Sequence, residues 1–458
     1  MLRAAAFALL TALLAFGLSG QPSPPASLVL ANLRVLDVVG GRYQPVRALV
    51  VQQGRVAALQ PAGSSPLPAA TTQLDATGLT AVPGLIDVWV QAVPSPALDV
   101  DFFHALALAH GVTTARVVDA RPEWLLSQRK RVRAGELLAP RIVVAGPPIT
   151  TGGAGPAWRA TGPAAPGLLL PSAIAASAAA VGAEVGRQAG AGVEWVRLGP
   201  ALTVDAVRAA AARRQRARLS AAPGVTPATD LAAAGVTLLE GLYGPLPGRR
   251  AEPNRTDGDS PPSVIDPDRA WAATGPNGQV SLARRLAATG IAVTPLLRAT
   301  SRARGEGWRA ESPLLPDRLR RAQEGPAPSA AATAARRSFV SSFGRAGGKI
   351  AAASGAGADG WPVPGLGLHL ELAELTALGL SPLDAIRSAT SVNAEVLGAP
   401  NEGRIAVGGR AAFFLVDGDP LTDIRALQRI RHICLDGELL DREALLQQAQ
   451  RAAKGRLR

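Results

Sequence analysis

The chain has 458 residues but only one cysteine, one methionine, two tyrosines and four histidines. A single thiol excludes an internal disulfide. Cys434 lies in an apolar segment with no acid–base pair beside it, which marks a buried structural thiol and not a nucleophile. Lysine is confined to Lys130, Lys349 and Lys454, so arginine carries the formal net charge of +13. Aromatic residues make up 4% of the chain, and the arginines are scattered along it. A nucleic-acid binder gathers its cations into a patch and interleaves aromatics for stacking. Neither pattern is present, and no specific nucleic acid is expected as a partner. After the N-terminus no apolar run is long enough to span a bilayer. Gly-x-Ser-x-Gly, a P-loop and a Ser-His-Asp order are also missing.

The hydrophobic content of 47% fits a globular protein with one large domain and a smaller one. Arg3, the apolar run Ala4 to Phe16 and the small residues Gly17-Leu18-Ser19 have the order of a secretory signal. Residues 1–20 are therefore read as a signal and 21–27 as a Pro/Ser spacer. An exported protein, periplasmic or secreted, is expected.

Short strands are expected between Leu28 and Leu59 and again over Ala412 to Val416 and Arg431 to Leu435. Between these ends, apolar runs alternate with helical patterns, as in parallel βα units. Strands are placed at Gly84–Val90, Thr113–Val118, Arg141–Ala145, Trp195–Leu198, Ala217–Ala221, Thr237–Gly241, Ala292–Leu297 and Lys349–Ala353. Helices are placed at Ala173–Ala189 and Val204–Arg216. Ser381-Pro382-Leu383-Asp384 has the cap, first-turn proline and acidic residue of a helix start. Gly- and Pro-rich stretches at Ala154–Pro171, Gly244–Ser263 and Arg302–Ala331 are expected to be long loops. The fold class is α/β, a (β/α)8 barrel with active-site positions at the C-terminal ends of its strands.

The stretch Ala81-Val82-Pro83-Gly84-Leu85-Ile86-Asp87-Val88-Trp89-Val90-Gln91 is the most informative. Alternate strand residues share a face, so Trp89 and Gln91 point the same way at its end. The stretch resembles the first barrel strand of the amidohydrolase superfamily, Pro-Gly-Leu-Ile-Asp-x-His-x-His. Further landmarks agree in order: His110-Gly111-Val112-Thr113-Thr114, Gly146 to Gly153, His369-Leu370-Glu371-Leu372, Ala389 to Ala394 and Gly408-Gly409-Arg410-Ala411. The likeness is to the imidazolonepropionase-like and Xaa-Pro dipeptidase-like branch. It implies a barrel at 83–400, a small β-sandwich built from 28–82 and 401–443, and a basic C-terminal tail or helix at 444–458.

The resemblance also implies one or two zinc or similar ions held by histidines and a carboxylated lysine, with an aspartate as base. In this sequence the first-strand histidines fall on Trp89 and Gln91, the lysine on Arg197, the next histidines on Ala221 and Gly241, and the aspartate on Gly355. Indole and guanidinium have no lone pair to give, and Ala and Gly have no side-chain ligand. Gln91 alone makes no cation site. No metal cofactor is therefore expected. Trp89, Gln91, Arg197, Glu240 and His369 are the candidate ligand-binding residues, Arg197 suiting a small anionic ligand such as a carboxylate. Asp87 is expected to be structural, and Asp359 could face the strand ends. The favoured function is a non-hydrolytic homologue with a binding or scaffolding role, oligomeric or not. The alternatives are a divergent hydrolase of C–N bonds with an altered site, and a basic envelope protein that binds anionic polymers.

Overall fold

The computed structural model describes residues 26–64, 67, 69–93, 99–151, 173–242, 267–301, 329–357 and 363–454. The expected signal, most of the spacer, the long loops at 154–171 and 244–263, most of the loop at 302–331, and Asp359 lie outside the described residues. Among the described residues no helix is long and apolar enough to cross a membrane.

At the N-terminal end, β1 (Ala26–Asp37) pairs antiparallel with β2 (Arg42–Gln52), which pairs with β3 (Arg55–Pro61). Gln53 and Gly54 join β2 to β3 with φ of 51° and 72°. Two successive positive φ values make the tight hairpin turn whose twist matches that of its strands. On the other edge of β1 lie β4 (Ala70–Asp75) and β5 (Leu79–Pro83), both parallel to it.

The chain then enters parallel βα units. β6 (Leu85–Val90), β7 (Val112–Val117) and β8 (Arg141–Val144) form one parallel set, with α1 (Val100–Ala109) and α2 (Pro122–Arg133) between them. β9 (Ile149–Thr150), β10 (Ala173–Ile174), β11 (Trp195–Leu198), β12 (Arg218–Ala221), β13 (Leu238–Glu240), β14 (Ala292–Thr294) and β15 (Lys349–Ile350) form a second sheet. The bridge Ala145↔Trp195 joins the first set to the second. The bridge Val90↔Ala356 ties the chain just beyond β15 back to β6. Each of the eight long runs named as barrel strands from sequence contains a strand, and Trp195–Leu198 has the same limits.

These strands are buried on both faces, as parallel strands covered by helices must be. One face carries Ile86, Val88, Val143, Trp195, Leu238, Ala292 and Ala351, in a cluster of their own. The other face, with Leu85, Val117, Ile142, Val196 and Leu219, joins the larger cluster under the helices. The helices begin as the sequence specifies. Ser381 Oγ accepts from the Asp384 backbone N–H at 3.1 Å and donates to the Asp384 carboxylate at 2.6 Å, with Pro382 in the first turn. The expected helix at Ala173–Ala189 is shorter. Ala173 and Ile174 pair in β10, and the helix runs over Ala178–Gly190 behind a Ser177 cap.

The C-terminal strands β16 (Ala412–Asp417), β17 (Ile430–Leu435) and β18 (Glu438–Leu440) return to the first sheet, β16 pairing with β5. Both ends of the chain thus share one eight-stranded sheet. It encloses a cluster that includes Leu30, Val35, Leu49, Phe413, Leu415 and Cys434. Cys434 is buried, and burial pushes its thiol up to about 12, which keeps it protonated and inert. Gly111 makes the joint between this sheet and the βα units. A Cβ there would sit 2.8 Å from the ring of Phe414, and its φ is 74°. Residues 444–454 of the expected basic tail lie in the helix Arg442–Lys454, which buries Leu445, Ala449 and Ala453 against the core.

Candidate functional site

The C-terminal ends of β6, β7, β11, β12 and β13 bring seven polar-capable side chains together. Trp89 lies in β6 and Gln91 directly follows it. Arg116 lies in β7, and Asp119 follows its end with φ of 61°, a left-handed conformation that aspartate tolerates. Arg197, Ser220 and Glu240 come from the three successive strands β11, β12 and β13. All seven are buried, none more than 5% exposed.

Their hydrogen bonds form one network. Arg116 donates to Glu240 Oε1 at 2.6 Å, to Ser220 Oγ at 2.7 Å and to the Val88 carbonyl at 3.1 Å. Arg197 donates through Nε to Glu240 Oε2 at 2.8 Å and through Nη1 to Asp119. The Trp89 indole N–H donates to Glu240 Oε2 at 3.3 Å, and Gln91 donates its amide to Asp119 Oδ2 at 2.6 Å. Indoles stack on both guanidinium groups, Trp195 at 4.7 Å from Arg116 and Trp89 at 5.7 Å from Arg197. Stacking of this kind is a property of the planar guanidinium.

The charges balance, two guanidinium groups against two carboxylates. Burial alone would raise the pKa of Glu240, but Arg197 and Arg116 outweigh it and hold the carboxyl well below its usual range. Burial likewise opposes the charge on Arg197, and Asp119 and Glu240 more than compensate. A buried carboxylate held this firmly in its charged form is a poor proton acceptor at neutral pH. The anionic ligand expected at Arg197 would require an uncommitted guanidinium, whereas this one already faces two carboxylates.

The remaining family positions contribute no ligating atom. Ala221 is buried beside Ser220. Gly241 has a φ of 72°, and its N–H is bonded to the Thr294 carbonyl at 2.9 Å. Gly355 has a φ of 67°, and a Cβ there would lie 2.6 Å from Ala299 Cβ and 3.2 Å from Leu296 Cδ2. Asp87, two residues before Trp89 in β6, accepts backbone N–H groups from Trp89 at 3.2 Å and Ser354 at 3.1 Å. It thereby ties β6 to the segment after β15. Burial pushes its carboxyl up to about 6.

Trp89, Gln91, Arg197 and Glu240 are brought together by the structure, but His369 is not. The sequence places it near the strand ends as a candidate ligand contact. It lies instead in the helix Leu366–Ala377, its Nε2 2.8 Å from the His110 carbonyl and its ring 6.1 Å from the His110 ring. His110 lies two residues before the start of β7, at the opposite end of that strand from Arg116. The close approach of Gly365 and His369, at the start of that helix, to Leu106, Ala107 and His110 at the end of α1 holds it there, and chain order after the last strand does not reveal it. Arg116, Asp119 and Ser220 were not among the candidates from sequence. The signal for them was one charged residue inside an otherwise apolar strand run, with a second just past its end.

Three histidines are buried and held neutral by that burial, His104 down to about 4, His110 to about 3 and His369 to about 4. Their folded values lie below the ordinary 6.5, so the unfolded chain takes up protons first as pH falls. Stability is therefore lost from about pH 6.5 down to about 3. Asp87 and Glu371 have the opposite sign, raised by burial to about 6 and about 7, and retain protons when folded. They offset two of the three histidines between about pH 4.5 and 6, so stability is expected to rise with pH and level off near pH 7. His369→Gln should flatten the acid limb by about 1.4 kcal/mol per pH unit, the value of one linked proton. Urea unfolding of both proteins at pH 7 and pH 5 measures it, and parallel limbs would show that His369 is not buried neutral.

A family zinc centre can be tested against this donor set. Each of the four histidines is among the described residues, and none belongs to the network. The network's only anionic donors, Asp119 and Glu240, are taken up by guanidinium groups. Among the described residues no group of three or more His, Cys, Asp or Glu could hold a metal ion. The residues present do not fit the metal.

The model of the amidohydrolase family matches residues 364–440. None of the curated proteins is matched. Solved structures with similar folds cover nearly the whole chain. Bottromycin amidohydrolase superposes with a TM-score of 0.67 at 21% identity, covering 94% of this chain and 91% of its own. A Xaa-Pro dipeptidase with bound methionine gives 0.66 at 18%, covering 90% and 99%. A Bifidobacterium longum protein described as a prolidase gives 0.64 at 21%, covering 93% and 100%. The resemblance seen in the sequence motifs is therefore an amidohydrolase resemblance in fold as well, of the parallel α/β type that these relatives share.

Proposed function

We propose that this chain is a non-hydrolytic homologue of the metal-dependent amidohydrolases, exported, with a binding or scaffolding role. Its eight parallel strands close as a (β/α)8 barrel beside a β-sandwich made from the two ends. The observation that supports the reading is the network of Trp89, Gln91, Arg116, Asp119, Arg197, Ser220 and Glu240. It stands where the family's metal ligands would converge, and two guanidinium groups take the place of divalent charge. The centre then serves to hold five strand ends in register, and not to activate water.

The test is metal content and turnover measured together. Purified protein is expected to carry no stoichiometric zinc. Chelator should leave its thermal midpoint unchanged, and Xaa-Pro dipeptides and cyclic amides should not be hydrolysed with zinc added. Turnover that Glu240→Gln abolishes would overturn the reading in favour of the divergent hydrolase. The held ionisation of Glu240 and the remote place of His369 argue against that alternative. The anionic-polymer reading draws support from exposed cations near the C-terminal ends of α2 and of the helix Val204–Arg213. These are Lys130, Arg131, Arg133, Arg213 and Arg216. Binding to acidic polysaccharide that weakens steeply with salt would favour it.

A further inference from the structure

A second polar place lies on the helix side of β6, apart from the network. It is a cavity of about 20 Å³ between α1, β6, β7 and the segment leading into the helix Leu366–Ala377. Its lining includes Asp87, Phe103, His104, Ala115, Ile142 and Pro364. Most of the wall is apolar. Two of the lining residues carry a buried polar atom that has no hydrogen-bond partner among the described residues, Asp87 Oδ2 and His104 Nε2. The other oxygen, Asp87 Oδ1, is occupied by the Trp89 and Ser354 N–H groups. Buried polar atoms in folded chains are nearly always hydrogen-bonded, and leaving an acceptor and a ring nitrogen without partners is costly.

The guest that would satisfy both atoms is narrowly defined. It must give a proton to a carboxylate oxygen and also give or accept one at an imidazole nitrogen. It must fit a space that holds little more than one water, which needs roughly 10–15 Å³ by this measure. A metal ion would want several oxygen or nitrogen ligands, and the rest of the wall is hydrocarbon. An organic molecule is too large. We propose that one resident water occupies this cavity and bridges Asp87 Oδ2 to His104 Nε2. It fastens α1 to the strand whose end carries Trp89 and Gln91. The carboxyl held near neutrality by burial then keeps a polar neighbour in either protonation state.

An atomic-resolution crystal structure of the full chain, alone and as His104→Phe, tests the proposal. One density peak is expected within roughly 2.6–3.2 Å of both atoms in the unaltered chain, absent in His104→Phe, where the ring fills the space. Oxygen-17 relaxation dispersion in solution should count one fewer long-lived water in the variant. A cavity with no peak, a peak bonded to only one of the two atoms, or a direct Asp87–His104 hydrogen bond would each overturn the assignment. So would a peak with several ligands at roughly 2.0–2.4 Å, which is a metal's signature. If His104→Phe does not fold, the unaltered chain still decides.

Discussion

Glu240→Ala is expected to lower the unfolding free energy by about 3–5 kcal/mol, among the largest effects of any single substitution in this chain. The carboxylate accepts from Arg116, Arg197 and Trp89 at once. Its removal leaves Arg116, fully buried, with only Ser220 and the Val88 carbonyl. Neither partner carries a charge, so the penalty is that of an unpaired buried cation. Arg197 keeps Asp119. The double variant Arg116→Met/Glu240→Met removes one charge of each sign and leaves the Arg197–Asp119 pair intact. It should regain most of the loss, since a buried ion pair replaced by well-packed apolar side chains is often close to neutral. Chemical unfolding of Arg116→Met, Glu240→Met and the double variant closes the cycle. A double variant less stable than Glu240→Ala would mean that the pair is not an isolated electrostatic unit.

Gly355→Asp, which places an aspartate where the amidohydrolase resemblance would put a catalytic one, should destabilise the protein by roughly 2–5 kcal/mol and bring no turnover. The left-handed conformation of that residue costs a side chain about 1–2 kcal/mol. Forcing a Cβ against Ala299 and Leu296 adds about 1–3 kcal/mol of overpacking. The contacts of 2.6 and 3.2 Å are made by the Cβ itself. Gly355→Ala should therefore already show most of the effect, which separates backbone strain and packing from any effect of the new charge. A neutral Gly355→Asp with new zinc uptake would show that this segment rearranges and that the site is one substitution from recovery.

The order of strands and the pairing of the two chain ends were legible because they rest on local pattern. Apolar runs bounded by Gly and Pro gave the parallel strands, and the capped Ser381-Pro382 start gave its helix. Run length misled where a helix began inside an apolar run. Ala292–Leu297 reads as strand throughout, but the strand ends at Thr294. The buried carboxylate of Glu371 accepts the N–H groups of Leu297 and Arg298, each at 2.9 Å, and turns the chain into a helix. Which charges meet was not legible. Arg197 and Asp119 lie 78 positions apart and Arg116 and Glu240 lie 124 apart. Alternation along a strand places a residue on a face without naming its partner on another strand. Trp89, Gln91 and Arg197 were found because the family frame marks those positions. Arg116 and Asp119 replace no marked residue and were missed, the one signal for them being charge in and just past an apolar run.

The most direct measurement is anomalous scattering at the zinc edge from crystals grown with excess zinc. The account predicts no peak among Asp119, Arg197 and Glu240, with both guanidinium groups still on their carboxylates. A fully occupied zinc ligated by Asp119 and Glu240, with Arg197 turned away, would contradict it.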